Sequence, residues 1–465
     1  MFSNNPLPSS KTRRSIPETT SLFQNGSLSP VELVQDCLKN IAAHDKKLNA
    51  FCLVTAESAL AAAHESEKRW RSGKALSPID GIPASIKDLF EIKDQVMRQG
   101  SYLMPERPAK ADSPVVRNLR KAGAVFLGTT TTPEFGHKGV TDSPLTGITR
   151  NPWNTKKTPG GSSGGSAVAA AMNMGMIHLG SDAGGSCRIP ASFTGVFGYK
   201  PTQNALPIFP ATFFYSFSTP GLLAARIDDI TSCLSVLRKR DSRDPTQITS
   251  AFKRTKRHKK TLKAAYIPHF AGIYVHPDTA KAVKETAQHL QDIASVEEIT
   301  PQLERLVELT NINWLAGAST IIEHFPDKKS LEKMDTSMRL FGEMGQNMPL
   351  SRFLHARQLR LELRQYCAKL FKKYDFLIMP TTPTPAFQAG VQSPPHPETG
   401  DIWYDWTPFT FLANMAGLPA ISVPAGFSAD GLPLAVQIIG APLDDISVLD
   451  IGAWLEQTMP PVYPV

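Results

Sequence analysis

The chain has 465 residues, of which 41% are apolar and 20% charged, a balance ordinary for a globular protein able to bury a sizeable core. Its net charge of +8 attracts anions without implying nucleic acid, because the densest basic run, Lys253 to Lys260, has no interleaved aromatics and reads as a solvated loop. Five scattered cysteines (Cys37, Cys52, Cys187, Cys233, Cys367) without a C-x-x-C pair argue against a disulfide framework or a zinc site, and no uncharged apolar run is long enough to span a bilayer.

Residues 1–20 read as a flexible tail, and Met1 to Ser15 lacks the apolar core of a signal peptide. With reduced thiols, this fits a cytoplasmic protein. Ser29-Pro30-Val31-Glu32 then predicts a capped helix start, with Leu33, Val34, Cys37, Leu38 and Ile41 on one apolar face. A second helix runs from about Ala56 to Ser72 and closes at Gly73. Gly81 to Asp88 reads as a turn and a buried strand. Ser113-Pro114 opens a capped helix ended by Gly123, and Val125 to Gly128 is a strand. This alternation argues for an α/β sheet with helices on both faces.

Residues 158–202 are dominated by Gly, Ser and Ala. A helix is expected from Gly165 to Met174, a strand from Met176 to Gly180, and a sharp turn on Gly184 and Gly185. Residues 240–262 look like a basic surface connection, and Lys263 to about Leu370 reads as mainly helical. Phe376 to Met379, Ala420 to Pro424 and Leu434 to Ile439 complete the expected strands.

Three features carry chemistry. Lys87 lies in an otherwise apolar strand; burial would lower its pKa and make it a usable base. The plainer reading is an edge-strand lysine in water or paired with Asp88. The run Gly160-Gly161-Ser162-Ser163-Gly164-Gly165-Ser166 allows close backbone approach and supplies hydroxyls that can relay protons. A flexible linker would have that composition too, but an alanine-rich helix follows it directly. In Asp182-Ala183-Gly184-Gly185-Ser186-Cys187-Arg188, backbone N–H groups of residues 183–186 can converge into an oxyanion hole. A tight turn closed by an Asp182–Arg188 ion pair is compatible with the same residues. Gly161 to Gly165 also matches G-x-S-x-G around Ser163, but the prolines and polarity of 151–159 deny it the preceding strand that motif needs. No Walker-A or H-E-x-x-H pattern occurs, and structural roles are expected for His137 and His178.

From Gly160 to Thr202 the sequence closely resembles the amidase signature family, and Gly81 to Asp88, Thr149 to Asn154, Tyr374 to Pro380 and Asn414 to Ala420 extend the likeness from about residue 20 to the end. The resemblance implies one large domain, residues 21–465, around a central mixed β-sheet flanked by helices. It implies a Ser-cisSer-Lys triad: Ser186 as nucleophile, Ser162 as the bridging serine in a cis peptide, Lys87 as base. Ala183, Gly184 and Gly185 would form the oxyanion hole, with Ser163, Asp182 and Arg188 in support. No metal or cofactor is implied. Ser181 and Ala183 replace frequent threonines, Cys187 an aliphatic residue and Ala435 a frequent glycine; none is expected to touch the triad.

Two activities follow from the resemblance. One is a stand-alone amidase cleaving a small acyl or aryl amide through an acyl-enzyme. The other is the glutaminase (A) subunit of a glutamyl-tRNA(Gln)/aspartyl-tRNA(Asn) amidotransferase, whose members usually carry Lys-Asp-Asn and a D-E-F-A-M-like segment. Lys87-Asp88-Leu89 and Thr132-Pro133-Glu134-Phe135-Gly136-His137 favour the former. A degenerate binding protein is disfavoured by the intact triad. The expected partner is a small-molecule amide, with no nucleic acid or membrane; a homodimer is compatible. Pocket walls are expected from Thr132–Ser143, Phe209–Phe217, Asn311–Ser319 and Ile402–Phe411, whose aromatics Phe213, Phe214, Tyr215, Trp403, Tyr404 and Trp406 suggest an apolar or aryl acyl group.

Overall fold

The computed structural model describes residues 13–214, 217–248, 262–270, 272–394 and 406–464. The basic run 253–260 and the aromatics Tyr215, Trp403 and Tyr404 lie outside the described residues. The strands are β1 (Phe51–Val54), β2 (Pro83–Lys87), β3 (Val125–Thr130), β4 (Asp142–Ser143), β5 (Gly147–Ile148), β6 (Ile177–Asp182), β7 (Phe197–Lys200), β8 (Thr219–Ala224), β9 (Leu262–Tyr266), β10 (Ala294–Glu298), β11 (Phe376–Pro380), β12 (Ala420–Phe427) and β13 (Pro433–Gly440). The helices are α1 (Ile16–Gln24), α2 (Pro30–Leu48), α3 (Ala56–Arg71), α4 (Pro114–Lys121), α5 (Gly164–Ala171), α6 (Arg188–Thr194), α7 (Ile227–Leu237), α8 (Pro277–His289), α9 (Leu306–His324), α10 (Lys328–Lys333), α11 (Thr336–Gln346), α12 (Leu350–Lys373), α13 (Pro408–Ala416) and α14 (Asp445–Thr458).

Eleven strands form one sheet in the order β1-β3-β2-β6-β8-β7-β12-β13-β11-β9-β10; β4 and β5 pair separately. The sheet is mixed. β2 runs parallel to β3 and β6, and β9 parallel to β10 and β11, while the remaining pairs are antiparallel. Both faces are covered, so side chains of opposite pleat are apolar. In β11, Phe376 and Ile378 join a core with α7, α8 and α14, whereas Leu377 and Met379 join a second core with α9, α11, α12 and α13.

The α/β architecture agrees with the sequence, but several local expectations differ. Residues 16–20 of the expected tail are helical, the Ser15 hydroxyl accepting from the N–H of Glu18 in a capping box that starts α1. Ile16 is fully buried and its N–H donates to Asp229 Oδ1 at 2.7 Å. The span 263–370 is not purely helical, since β9 and β10 open it as a parallel pair. Alanines and surface glutamates make these strands hard to read. Helix α5 stops at Ala171, because Asn173 takes a left-handed φ of 55°. Ser113 precedes α4 without capping it, and donates its hydroxyl to Glu91 O at 3.1 Å instead. In the expected surface connection, Asp241 and Asp244 are buried, Asp241 in an ion pair with Arg117 at 2.9 Å.

Candidate active site

β2 ends on Lys87 inside the sheet, between β3 and β6. The Lys87 side chain is 0% exposed there. Its Nζ lies 2.7 Å from Ser162 Oγ, 3.0 Å from Ser163 Oγ and 3.0 Å from Ser181 Oγ. Burial pushes the Lys87 ammonium down to about 7, against weaker upward pulls from Cys187 and Asp182. Both plainer readings therefore fail. Lys87 does not face water, and Asp88 accepts from the N–H groups of Arg98 and Gly100 rather than pairing with it.

Ser162 and Ser163 sit just before α5, where small residues permit close packing against the neighbouring backbone. The Gly161–Ser162 peptide is cis, in keeping with the resemblance. The Ser163 N–H donates to Ser186 O at 3.1 Å, which ties this run to the turn after β6. Ser186, 7% exposed, lines the same cavity as Ser162 and Ser181, and its hydroxyl makes no hydrogen bond among the described residues.

The turn carrying Ser186 is fixed by a buried polar hub. Asp182 and Arg188, both 0% exposed, pair at 2.8 Å. Asn414 Nδ2 donates to Asp182 Oδ1 at 2.9 Å, and Arg188 donates to Asn414 Oδ1, Thr410 O and Gln437 Oε1. Burial alone would raise the Asp182 carboxyl, but Arg188 and these bonds outweigh it and hold it well below the usual carboxylate range. The ion pair and the N–H-lined turn thus coexist, with one correction. The Gly185 N–H donates to Asp182 Oδ1 at 2.8 Å, so it is committed to the hub. Ala183, Gly184 and Ser186 remain as candidate donors.

Gly185 has φ 117°, and a Cβ there would stand 2.6 Å from Thr410 Cβ. Gly185→Ala is therefore expected to push the turn away from Thr410, displace the neighbouring candidate donors Ala183, Gly184 and Ser186, lower kcat by about 10²-fold or more, and lower the thermal unfolding midpoint. Single-turnover kinetics and calorimetry on the variant check this.

A cavity of about 400 Å³ opens from these serines. Phe135 and Gly136 come from one expected wall segment, Phe209, Phe213 and Phe214 from another. The expected segment Asn311–Ser319 stands behind the wall, with Trp314 stacked on Phe214 at 4.4 Å. Trp406 is also not in the wall; it is fully buried and stacked on Phe193 at 5.8 Å. Unforeseen lining comes from Phe90, Met97, Met104 and Phe325, with Glu91, Arg107 and His324 among the charged or polar side chains. Ser181 also departs from expectation, since it contacts Lys87 directly. Its place on a strand parallel to that of Lys87 is the relevant signal, but strand pairing is not written locally in the sequence. His137 and His178 hold structural bonds to Ser337 and Ser85, and burial pushes each down to about 3.

A family model described as Amidase matches residues 32–449. The chain belongs to the amidase signature family. Among its relatives, the A subunit of the glutamyl-tRNA(Gln) amidotransferase of Synechococcus sp. (strain CC9605) is 33% identical over 94% of this chain and 94% of the relative. The solved structure of a bacterial aryl acylamidase shares the fold, with TM-score 0.86 and 23% identity over 96% of both chains. That of 6-aminohexanoate cyclic dimer hydrolase has TM-score 0.85 and 26% identity, covering 96% of this chain and 97% of its own. This amidase signature chain is thus an amidase-type hydrolase. Among the described residues, no helix is long and apolar enough to cross a membrane, and no group of three or more His, Cys, Asp or Glu could hold a metal ion.

Proposed function

We propose that the chain cleaves the C–N bond of a small amide with an apolar acyl or aryl group, through Ser186, Ser162 and Lys87. The observation that carries this is a buried lysine, poised near neutrality, hydrogen-bonded to a serine at the end of an apolar cavity. Neutral Lys87 takes the Ser162 proton as Ser162 takes that of Ser186, and Ser186 Oγ attacks the carbonyl carbon. The Ser162–Ser186 bond forms with substrate in place, since catalytic hydrogen bonds often tighten only in the complex. N–H groups of Ala183, Gly184 and Ser186 hold the oxyanion. The relay returns the proton to the departing amine, and water then releases the acyl group. Phe90, Met97, Met104, Phe213 and Phe214 suit an apolar substrate body.

A second reading is the glutaminase member of a tRNA-dependent amidotransferase. The Synechococcus relative favours it across the whole chain, and supports it better than it supports a stand-alone amidase. Arg107 and Glu91 in the cavity lining would complement the α-carboxylate and α-ammonium of glutamine.

Ammonia or amine release by the purified chain alone, measured over a panel of aliphatic and aryl amides and glutamine, separates the readings. Aryl or aliphatic amides turned over about 100-fold better than glutamine support the first. Turnover of glutamine alone, or only with added amidotransferase partner proteins, supports the second and overturns the first.

A further inference from the structure

Helix α12 buries little of itself. Only Ala356, Leu359 and Cys367 of its 24 residues are buried. Five of the eleven exposed large apolar side chains among the described residues lie between 340 and 361. Three are on α12: Leu350, Leu354 and Leu361, exposed by 71%, 51% and 58%. At 3.6 residues per turn these fall on one stripe with Arg357; Arg364 stands at its edge, its guanidinium donating to Gln203 Oε1 at 2.8 Å. The helix carries seven Lys and Arg against one acidic residue, Glu362. Arg357 has no ion pair among the described residues. The neighbouring Arg360 guanidinium is pushed down to about 10, first by burial and then by Arg364 and Arg357. Leucines interleaved with an arginine that has no ion pair among the described residues are what a helix–helix seam looks like from one side.

We propose that this outward stripe of α12 docks an acidic amphipathic helix of a partner protein. Charge complementarity selects that occupant. A second copy of this chain would set arginine against arginine across the seam. A lipid surface calls for a helix whose apolar and basic residues lie on separate faces, whereas Arg357 lies among the leucines of this stripe. The leucines span about 16 Å, or three turns, which fits a short helix rather than an extended strand. The surface is separate from the cavity and does not depend on which amide is cleaved.

The test uses the full chain and a labelled synthetic peptide of about three heptads, with leucine at the seam positions and glutamate beside them. Fluorescence anisotropy is expected to give a micromolar Kd that weakens as salt is raised. Leu354→Asp and Arg357→Glu are each expected to weaken binding about 10-fold or more with amide turnover unchanged. A peptide carrying lysine for glutamate is expected to recover affinity for Arg357→Glu. Equal binding by the variants, or equal binding of a scrambled peptide, overturns the proposal. So does binding of phosphatidylglycerol vesicles in place of the peptide, or a dimer in sedimentation that Leu354→Asp disperses.

Discussion

Lys87→Ala is expected to lower kcat/KM by about 10⁴–10⁶-fold, the scale seen when a member of a catalytic triad is removed. The reason is that Lys87 is the only ammonium bonded to Ser162 among the described residues. Because its pKa sits at about 7 rather than the ordinary 10.5, the parent enzyme should lose rate about tenfold per pH unit below 7, as the lysine charges. A kcat/KM profile that stays flat down to pH 5 would remove Lys87 as the base. Lys87→Met separates chemistry from folding. A lysine with a depressed folded pKa costs stability wherever the unfolded chain would be protonated. Between about pH 7 and 10.5 the unfolded state binds more protons, so stability rises with pH across that window and is flat below it with respect to this group. Lys87→Met is therefore expected to be inactive yet to melt at or above the parent temperature at pH 7, with the advantage shrinking towards pH 10. Thermal unfolding at the two pH values checks the sign.

Arg188→Met is expected to cost about 3–5 kcal/mol of stability, the range for removing one partner of a buried ion pair. Asp182 would keep Asn414 and the N–H groups of Gly185 and Cys187, but would lose the only guanidinium it meets among the described residues. The double variant Asp182→Leu/Arg188→Met distinguishes charge from geometry. Stability should recover in part, because no lone charge stays buried. Activity should not recover, because Asp182 also holds the Gly185 N–H that shapes the turn before Ser186. Denaturant melts read the first effect and steady-state rates the second. Full recovery of rate in the double variant would mean that the hub does not position Ser186.

The parts of the site that are legible in the sequence are those written in consecutive residues. Lys87 in an apolar strand, the Ser162-Ser163 run and the Asp182–Arg188 turn each declare themselves within eight residues. The mixed sheet follows from alternating helix and strand signals together with the family likeness. What escapes depends on pairing between distant segments. Ser181 meets Lys87 only because β6 lies beside β2. Gly185 surrenders its N–H to Asp182, a choice of rotamer and not of sequence pattern. β7 and β8 are obscured by glycine and proline, which strands tolerate when flanking elements enforce them. The start of α1 is readable after all: Ser15 and Glu18 repeat the grammar of Ser29 and Glu32 that marks α2. The cavity wall is the least legible feature, since segments from residues 89–115, 207–220 and 324–325 converge on it.

The hub has a consequence for how the enzyme comes into being. Lys87, Ser162 and Ser186 are all made in the first half of the chain, but the bonds that hold Arg188 come from Thr410, Asn414 and Gln437. A ribosome-bound chain that has not reached β13 has its reactive groups without the clamp that aligns them. On the proposed mechanism, competence to cut amides therefore arrives only once β13 has been made and packed.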